Sequence, residues 1–306
     1  MSSGNARAAL AIVCCGAIAR DVLAHAGPTR VIALFERCFY LACPSGVVCI
    51  GTPAIGAGPI NVGIALPDGI AWPSLGVMLD AEGEADGTTC RIGDGFALAV
   101  GSGETWHPPI TPAFDAPRVK SGLLRLRGLA RGLPPHDGLA RLVFGEPHDA
   151  KALPTIARAA KGPIGDLVRG LPPSLMAHTW TADTMRAATL LVGLGPGFTP
   201  SGDDLLGGLM LALTAAGRIT LRDALWHALE PELDDLTVPA SAMHLSAAAD
   251  GMAAEPVPLL LNALLLDSPD LGARLDAVAQ IGHTSGWDCL AGVVLGLESE
   301  LSVASI

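Results

Sequence analysis

The sequence predicts an α+β chain, a β-rich N-terminal part followed by a mainly α-helical C-terminal domain with a duplicated loop-helix unit. Three observations lead there. Short β-branched and aromatic runs cut by Pro and Gly fill the chain as far as residue 117. Longer segments with helical spacing fill the rest, and two of them match each other without a gap. Strands first and helices second is the ordering of an α+β chain, not of alternating βα units.

The elements follow in order. Arg7, the apolar stretch 8–19 and Ala24-His25-Ala26 loosely imitate a secretory signal. Arg20 and Asp21 come directly after the apolar run, however, so the segment reads as a first strand or helix of the domain. Residues 31–35, 38–42 and 47–50 have the composition of strands bounded by turns. Pro108, Pro109, Pro112 and Pro117 mark a linker, which gives expected domains of 1–117 and 118–306. Beyond it, Leu123, Leu126, Leu129 and Leu133 repeat at helical spacing. Further helices are predicted over 138–144, 155–170, 183–192, 203–216, 221–230, 241–253, 256–266, 271–281 and 287–299.

Composition narrows the function classes. The chain has 306 residues, 50% of them hydrophobic, and a net charge of −11, so it buries a core and is not disordered. Its acidity disfavours nucleic acid as a partner, because phosphates would be repelled. The longest uncharged stretch, 38–67, contains Pro44, Pro53, Pro59 and Pro67, so no membrane helix is expected there. Seven cysteines without CxxC spacing read as reduced thiols of a cytoplasmic protein. Charge is unevenly spread: residues 1–117 carry −5, residues 118–186 carry +6 and residues 187–306 carry −12. The basic middle is expected to dock on the acidic part, or else to line an anion site.

The duplicated unit is the strongest signal. TPSGDDLLGGLMLAL (199–213) and HTSGWDCLAGVVLGL (283–297) share seven of fifteen positions at an offset of 84. Two copies related by an approximate two-fold axis are expected. Ser201 with Asp204, and Ser285 with Asp288, have the spacing of capping boxes, and each is expected to cap its own helix. A cap explains neither Thr199, the second carboxylate Asp203 and the glycines Gly195 and Gly197, nor His283 and Thr284 before the second helix. Helix N-termini attract phosphate or carboxylate, while carboxylates beside them favour N–H donors. The pattern therefore suits a ligand with both, such as a ureido or carbamoyl compound. Mg²⁺ on Asp203 and Asp204 is the competing possibility, although DDxxD is missing. No nucleophile elbow, Walker loop or dinucleotide fingerprint occurs, and of eight histidines only His283 lies in a motif.

GLGPGFTPSGDDLLGG (193–208) with IGHTSGWDCLAGVVLG (281–296) resembles the AllH-like family. GPINVGI (58–64) and a helix with Ser241, Leu245, Ala248 and Gly251 extend the likeness. The resemblance implies a place in purine and allantoin catabolism beside FdrA-type and AllG-type subunits. The implied reaction is that of oxamate carbamoyltransferase, oxalurate plus phosphate giving oxamate plus carbamoyl phosphate. On that expectation Asp203 would orient the NH₂ group and His283 would protonate the leaving nitrogen, both as catalytic residues. Gly195, Gly197, Thr199, Ser201, Asp204, Thr284, Ser285 and Asp288 would bind substrate, and an arginine of 118–186 would hold the anion. The other readings are a non-catalytic scaffold for the FdrA-type partner and a metal-dependent hydrolase of an amide or ureido substrate.

Overall fold

The computed structural model describes residues 9–66, 70–145 and 153–304. The chain forms two units, Met1–Pro108 and Pro109–Ile306. The first contains β1 (Leu10–Gly16), α1 (Ala17–Ala24), β2 (Gly27–Leu34), β3 (Cys38–Cys43), β4 (Gly46–Gly51), β5 (Asn61–Ile64), β6 (Glu82–Ala85), β7 (Thr89–Ile92), β8 (Phe96–Ala99) and β9 (Glu104–Trp106). The apolar segment near the N-terminus is thus both a strand and a helix. Strand order is β5-β4-β3-β2-β6-β7-β8-β1-β9, and β1 also pairs with β5, which closes the sheet into a barrel. Closure removes the exposed edges that a flat sheet of these apolar strands would present. Phe39 fills the barrel interior, edge-on to Trp72 at 5.1 Å and to Phe96 at 5.6 Å.

The second unit is helical, as the spacing predicts: α2 (Ala116–Leu129), α3 (Ala140–Phe144), α4 (Thr155–Ala177), α5 (Ala182–Thr189), α6 (Ser201–Ala215), α7 (Ile219–Leu229), α8 (Leu233–Leu236), α9 (Pro239–Ala249), α10 (Pro256–Leu265), α11 (Leu271–Ala279) and α12 (Ser285–Ala304). Helix α2 starts ahead of its leucine repeat because Asp115 caps it, accepting the Arg118 N–H at 3.0 Å, with Pro117 in the first turn. Helix α4 runs beyond residue 170, through Pro172 and Pro173. Its buried stripe of Leu167, Leu171, Ser174 and Leu175 outweighs the lost N–H donors. No helix among the described residues is long and apolar enough to cross a membrane.

Helices α6 and α12 are buried almost all round and lie side by side at the centre of this unit. A Cβ on Gly208 would stand 1.9 Å from the Cys289 carbonyl oxygen, and one on Gly292 would stand 1.9 Å from that of Leu205. These two contacts exchange under the 84-residue offset, so the helices are related by an approximate two-fold axis, as the duplicated sequence predicts. The basic segment docks where its charge directs it. Arg127 forms a two-point pair with Glu298 at 2.6 and 2.7 Å, and Arg125 bonds Asp267 at 2.6 Å.

Candidate functional site

The close approach of α6 and α12 brings their first turns, and the loops that feed them, into contact. Thr199 Oγ1 lies 2.8 Å from Ser285 Oγ, and Ser201 Oγ lies 3.4 Å from Thr284 Oγ1. Asp204 faces the Ser285 and Thr199 hydroxyls, while Asp288 faces those of Ser201 and Thr284. The six side chains form two interlocked sets, each pairing a carboxyl of one unit with a serine of the other.

This arrangement corrects the capping expectation. Helix α6 has no side-chain cap; the N–H groups of Asp203 and Asp204 both go to the Pro200 carbonyl, at 2.9 and 3.1 Å. Asp288 likewise turns outward from its own first turn, Oδ1 accepting the Leu139 N–H at 2.6 Å and the Ala140 N–H at 3.1 Å. The reason is burial. A carboxyl removed from water gains more from donors across the helix pair than from N–H groups that a preceding carbonyl already satisfies.

The loops differ in length. Gly202 donates its N–H to the Leu194 carbonyl at 2.9 Å and Gly286 to the Ile281 carbonyl at 3.0 Å. The first loop is therefore the longer by three residues, and the 84-residue offset holds only from the helix starts onward. The longer loop carries Gly195 and Gly197, at φ +136° and +98°, and it is exposed at Pro196 and Gly197.

Asp203 stands apart from Asp204, although adjacent in sequence. It is buried, and Oδ1 takes the Gly193 N–H at 2.7 Å while Oδ2 takes the hydroxyls of Ser241, at 2.6 Å, and Thr237. These three donors tie the glycine loop to α6 and α9. His283 is exposed at the rim, its Nε2 3.4 Å from Asp137 Oδ2. Thus the structure brings Thr199, Ser201, Asp204, Thr284, Ser285 and Asp288 together, with Asp203 behind them and His283 outside. Leu139, Ala140 and Cys289 lay in segments of helical spacing, and Thr237 and Asp137 in none, but no motif marked any of the five as a neighbour of these carboxyls.

Electrostatics follow from this geometry. Burial pushes the Asp204 carboxyl well above the usual range, and the charges of Asp288 and Asp203 push it further, against the Ser285 and Thr199 hydroxyls. Burial also raises Asp288, offset by Ser201, the Leu139 N–H, Thr284 and the Ala140 N–H. Asp203 is raised by burial and drawn back by Ser241, Thr237 and Gly193. Burial holds the neighbouring Cys289 thiol protonated, and the two carboxylates Asp204 and Asp288 reinforce it. One oxygen of each facing aspartate, Asp204 Oδ2 and Asp288 Oδ2, is buried without a hydrogen-bond partner among the described residues. Among those residues no three His, Cys, Asp or Glu side chains gather as a metal-ligand set.

The family model described as oxamate carbamoyltransferase subunit AllH matches residues 191–297. That span bears out the resemblance carried by the two glycine-rich motifs and includes both helix starts. It lies wholly within the helical unit, so the GPINVGI segment falls outside it. No solved structure gives a significant match to the chain.

Proposed function

From the AllH-like span 191–297 we propose that the chain is a subunit of an oxamate carbamoyltransferase-type complex and carries part of its active site. FdrA-type and AllG-type chains are the proposed partners, and purine or allantoin catabolism the setting. One observation carries the reading to the residue level. Two helix N-termini converge on a cluster of four hydroxyls and two buried carboxyls. The positive ends of the two helices and the glycine loop suit a carboxylate or phosphate, and aspartates suit the N–H groups of a ureido compound. Oxalurate has both ends.

In this proposal phosphate attacks the ureido carbonyl carbon while loop N–H groups and the Thr199 and Ser285 hydroxyls stabilise the developing oxyanion. Asp203 acts at one remove, holding the 193–200 loop in the shape that presents those groups. His283 and Asp137 stand at the mouth, where they meet the substrate or the partner chain.

Calorimetric titration of the chain with oxalurate, phosphate and Mg²⁺ in turn tests the proposal. Saturable oxalurate binding without Mg²⁺, weakened at least tenfold by Thr199→Val or Ser285→Ala, is the expected result. No binding, either by the chain alone or by the complex with its partners, would leave a scaffold. Binding only with Mg²⁺ would point to the metal-dependent hydrolase.

A further inference from the structure

The segment that leads into α3 is held against the start of α12 from within. Asp288 takes the N–H groups of Leu139 and Ala140, and a Cβ added to Gly138 would stand 2.6 Å from Asp288 Oδ1 and 3.1 Å from Thr284 Cβ. Arg141 closes the same segment on itself, its Nε donating to the Pro134 carbonyl at 2.9 Å. On the facing side the Thr284 carbonyl accepts the Asp288 N–H at 2.8 Å, and Gly282 turns the chain at φ +57°. Asp137 and His283 are exposed, but each sits one residue from an anchored neighbour, Gly138 and Thr284. They meet at the rim with Nε2 3.4 Å from Oδ2, across 146 residues of chain. An exposed pair is ordinarily worth little, because two mobile side chains must be ordered to make it. Here the buried contacts behind the pair have already ordered both backbones.

We infer that Asp137 is a positioning residue, fixing the His283 ring so that its Nδ1 faces the mouth of the site and relays the proton of the carbamoyl transfer. The inference rests on the proposed reaction. A carboxylate only accepts, so the hydrogen of the neutral ring lies on Nε2, towards Oδ2, and Nδ1 keeps its lone pair. A separation of 3.4 Å is loose, as such bonds often are before substrate closes the site. His136 approaches the other oxygen of Asp137, with Nδ1 3.8 Å from Oδ1. That is beyond hydrogen-bond reach, so among the imidazoles here only His283 is oriented by the carboxylate.

The step balances without a further reagent. An oxygen of hydrogen phosphate forms a bond to the ureido carbonyl carbon while its proton passes to His283 Nδ1. The bond from that carbon to the nitrogen of the departing oxamate breaks, and the electron pair stays on the nitrogen. Nδ1 returns the proton to that nitrogen, which leaves the ring neutral and Nε2–H still on Asp137.

Turnover of oxalurate by the complex with its partner chains tests the assignment. His283→Gln should lower kcat about 100-fold and Asp137→Asn about tenfold, with KM for oxalurate within about threefold in both. An amide at 137 can donate to Nε2 and place the ring hydrogen on Nδ1, where it blocks the relay. The double variant should be no slower than His283→Gln, because Asp137 acts only through that ring. Added imidazole should restore turnover to His283→Gln at the open rim, an outcome that a merely structural ring would not give. His136→Gln should keep kcat within about twofold, since that ring makes no hydrogen bond to the carboxylate. Unchanged kcat in His283→Gln or Asp137→Asn overturns the inference, even if the melting temperature falls. Equal losses in all three single variants overturn it as well, and make the rim a contact for the partner chain. A wild-type complex that binds no oxalurate removes the carbamoyltransferase reading and the inference with it, whereas turnover that survives both variants removes the inference alone.

Discussion

Asp203 and Asp204 are neighbours in sequence with opposite situations, and the difference decides what each substitution does. Asp203→Ala would strip three donors of their acceptor, at a cost on the order of 3 kcal/mol, with the Gly193 loop losing protection in hydrogen exchange. The glycines supply a second test. Gly208→Ala and Gly292→Ala each drive a Cβ into a carbonyl of the facing helix, so each should lower thermal stability by about 1–3 kcal/mol or more and by similar amounts. Gly207→Ala is the control, because its Cβ would meet only Ala248 Cβ at 3.6 Å. There the better helix propensity of alanine should leave stability equal or up to about 1 kcal/mol higher. Gly208 and Gly292 stood out in the sequence because they repeat. Nothing comparable marked Gly138 or Ser241 as neighbours of these carboxyls: their contacts cross 150 and 38 residues of chain, and the helical spacing of Ser241 with Leu245 and Ala248 says nothing of what it faces.

Helix α3 is too short to hold itself in place, and its position depends on the groups that pin its two ends. Asp288 takes the N–H groups at its start, and Arg127 reaches the carbonyls of Phe144 and Val143 at its end, at 3.1 and 3.3 Å, while pairing with Glu298. Arg127→Ala should cost about 1 kcal/mol in overall stability, since the pair is part-exposed. Its larger effect should be faster hydrogen exchange over residues 139–144, seen by mass spectrometry, with α6 unchanged. Equal protection in the variant would show that α3 is held by apolar packing alone. The helices were legible because periodicity reports burial on one face; the extension of α4 through Pro172 and Pro173 was not, because tertiary burial there overrides a local rule. The Ser-x-x-Asp spacing was read correctly as a helix start, yet it misdirected the side chains, because a second copy of the motif stood opposite.

Taken whole, the chain sets a closed barrel in one unit and a helical unit built round a two-fold pair in the other. The strands were visible in the alternation of Pro, Gly and β-branched runs, but barrel closure depends on the pairing of β1 with β5, which no local pattern encodes. The +6 segment likewise foretold its docking on acidic helices without naming Arg127 and Glu298 as the pair. Buried carboxyls also set the pH response of the fold. Asp203, Asp204 and Asp288 hold protons in the folded state at pH values where the unfolded chain has released them. Their contribution is therefore present at low pH and lost as pH rises through the raised values. The melting temperature should fall as pH rises above the ordinary carboxylate range, and should fall less in Asp204→Asn, which has one ionisation fewer. The central claim is that the two loop-helix units form one site for a ureido substrate, and a crystal structure of the chain soaked with oxalurate tests it most directly. The ligand should lie between residues 195–204 and 283–288, its carboxylate on backbone N–H groups and its N–H groups towards Asp204. Oxalurate bound elsewhere, with those loops unchanged, would contradict it.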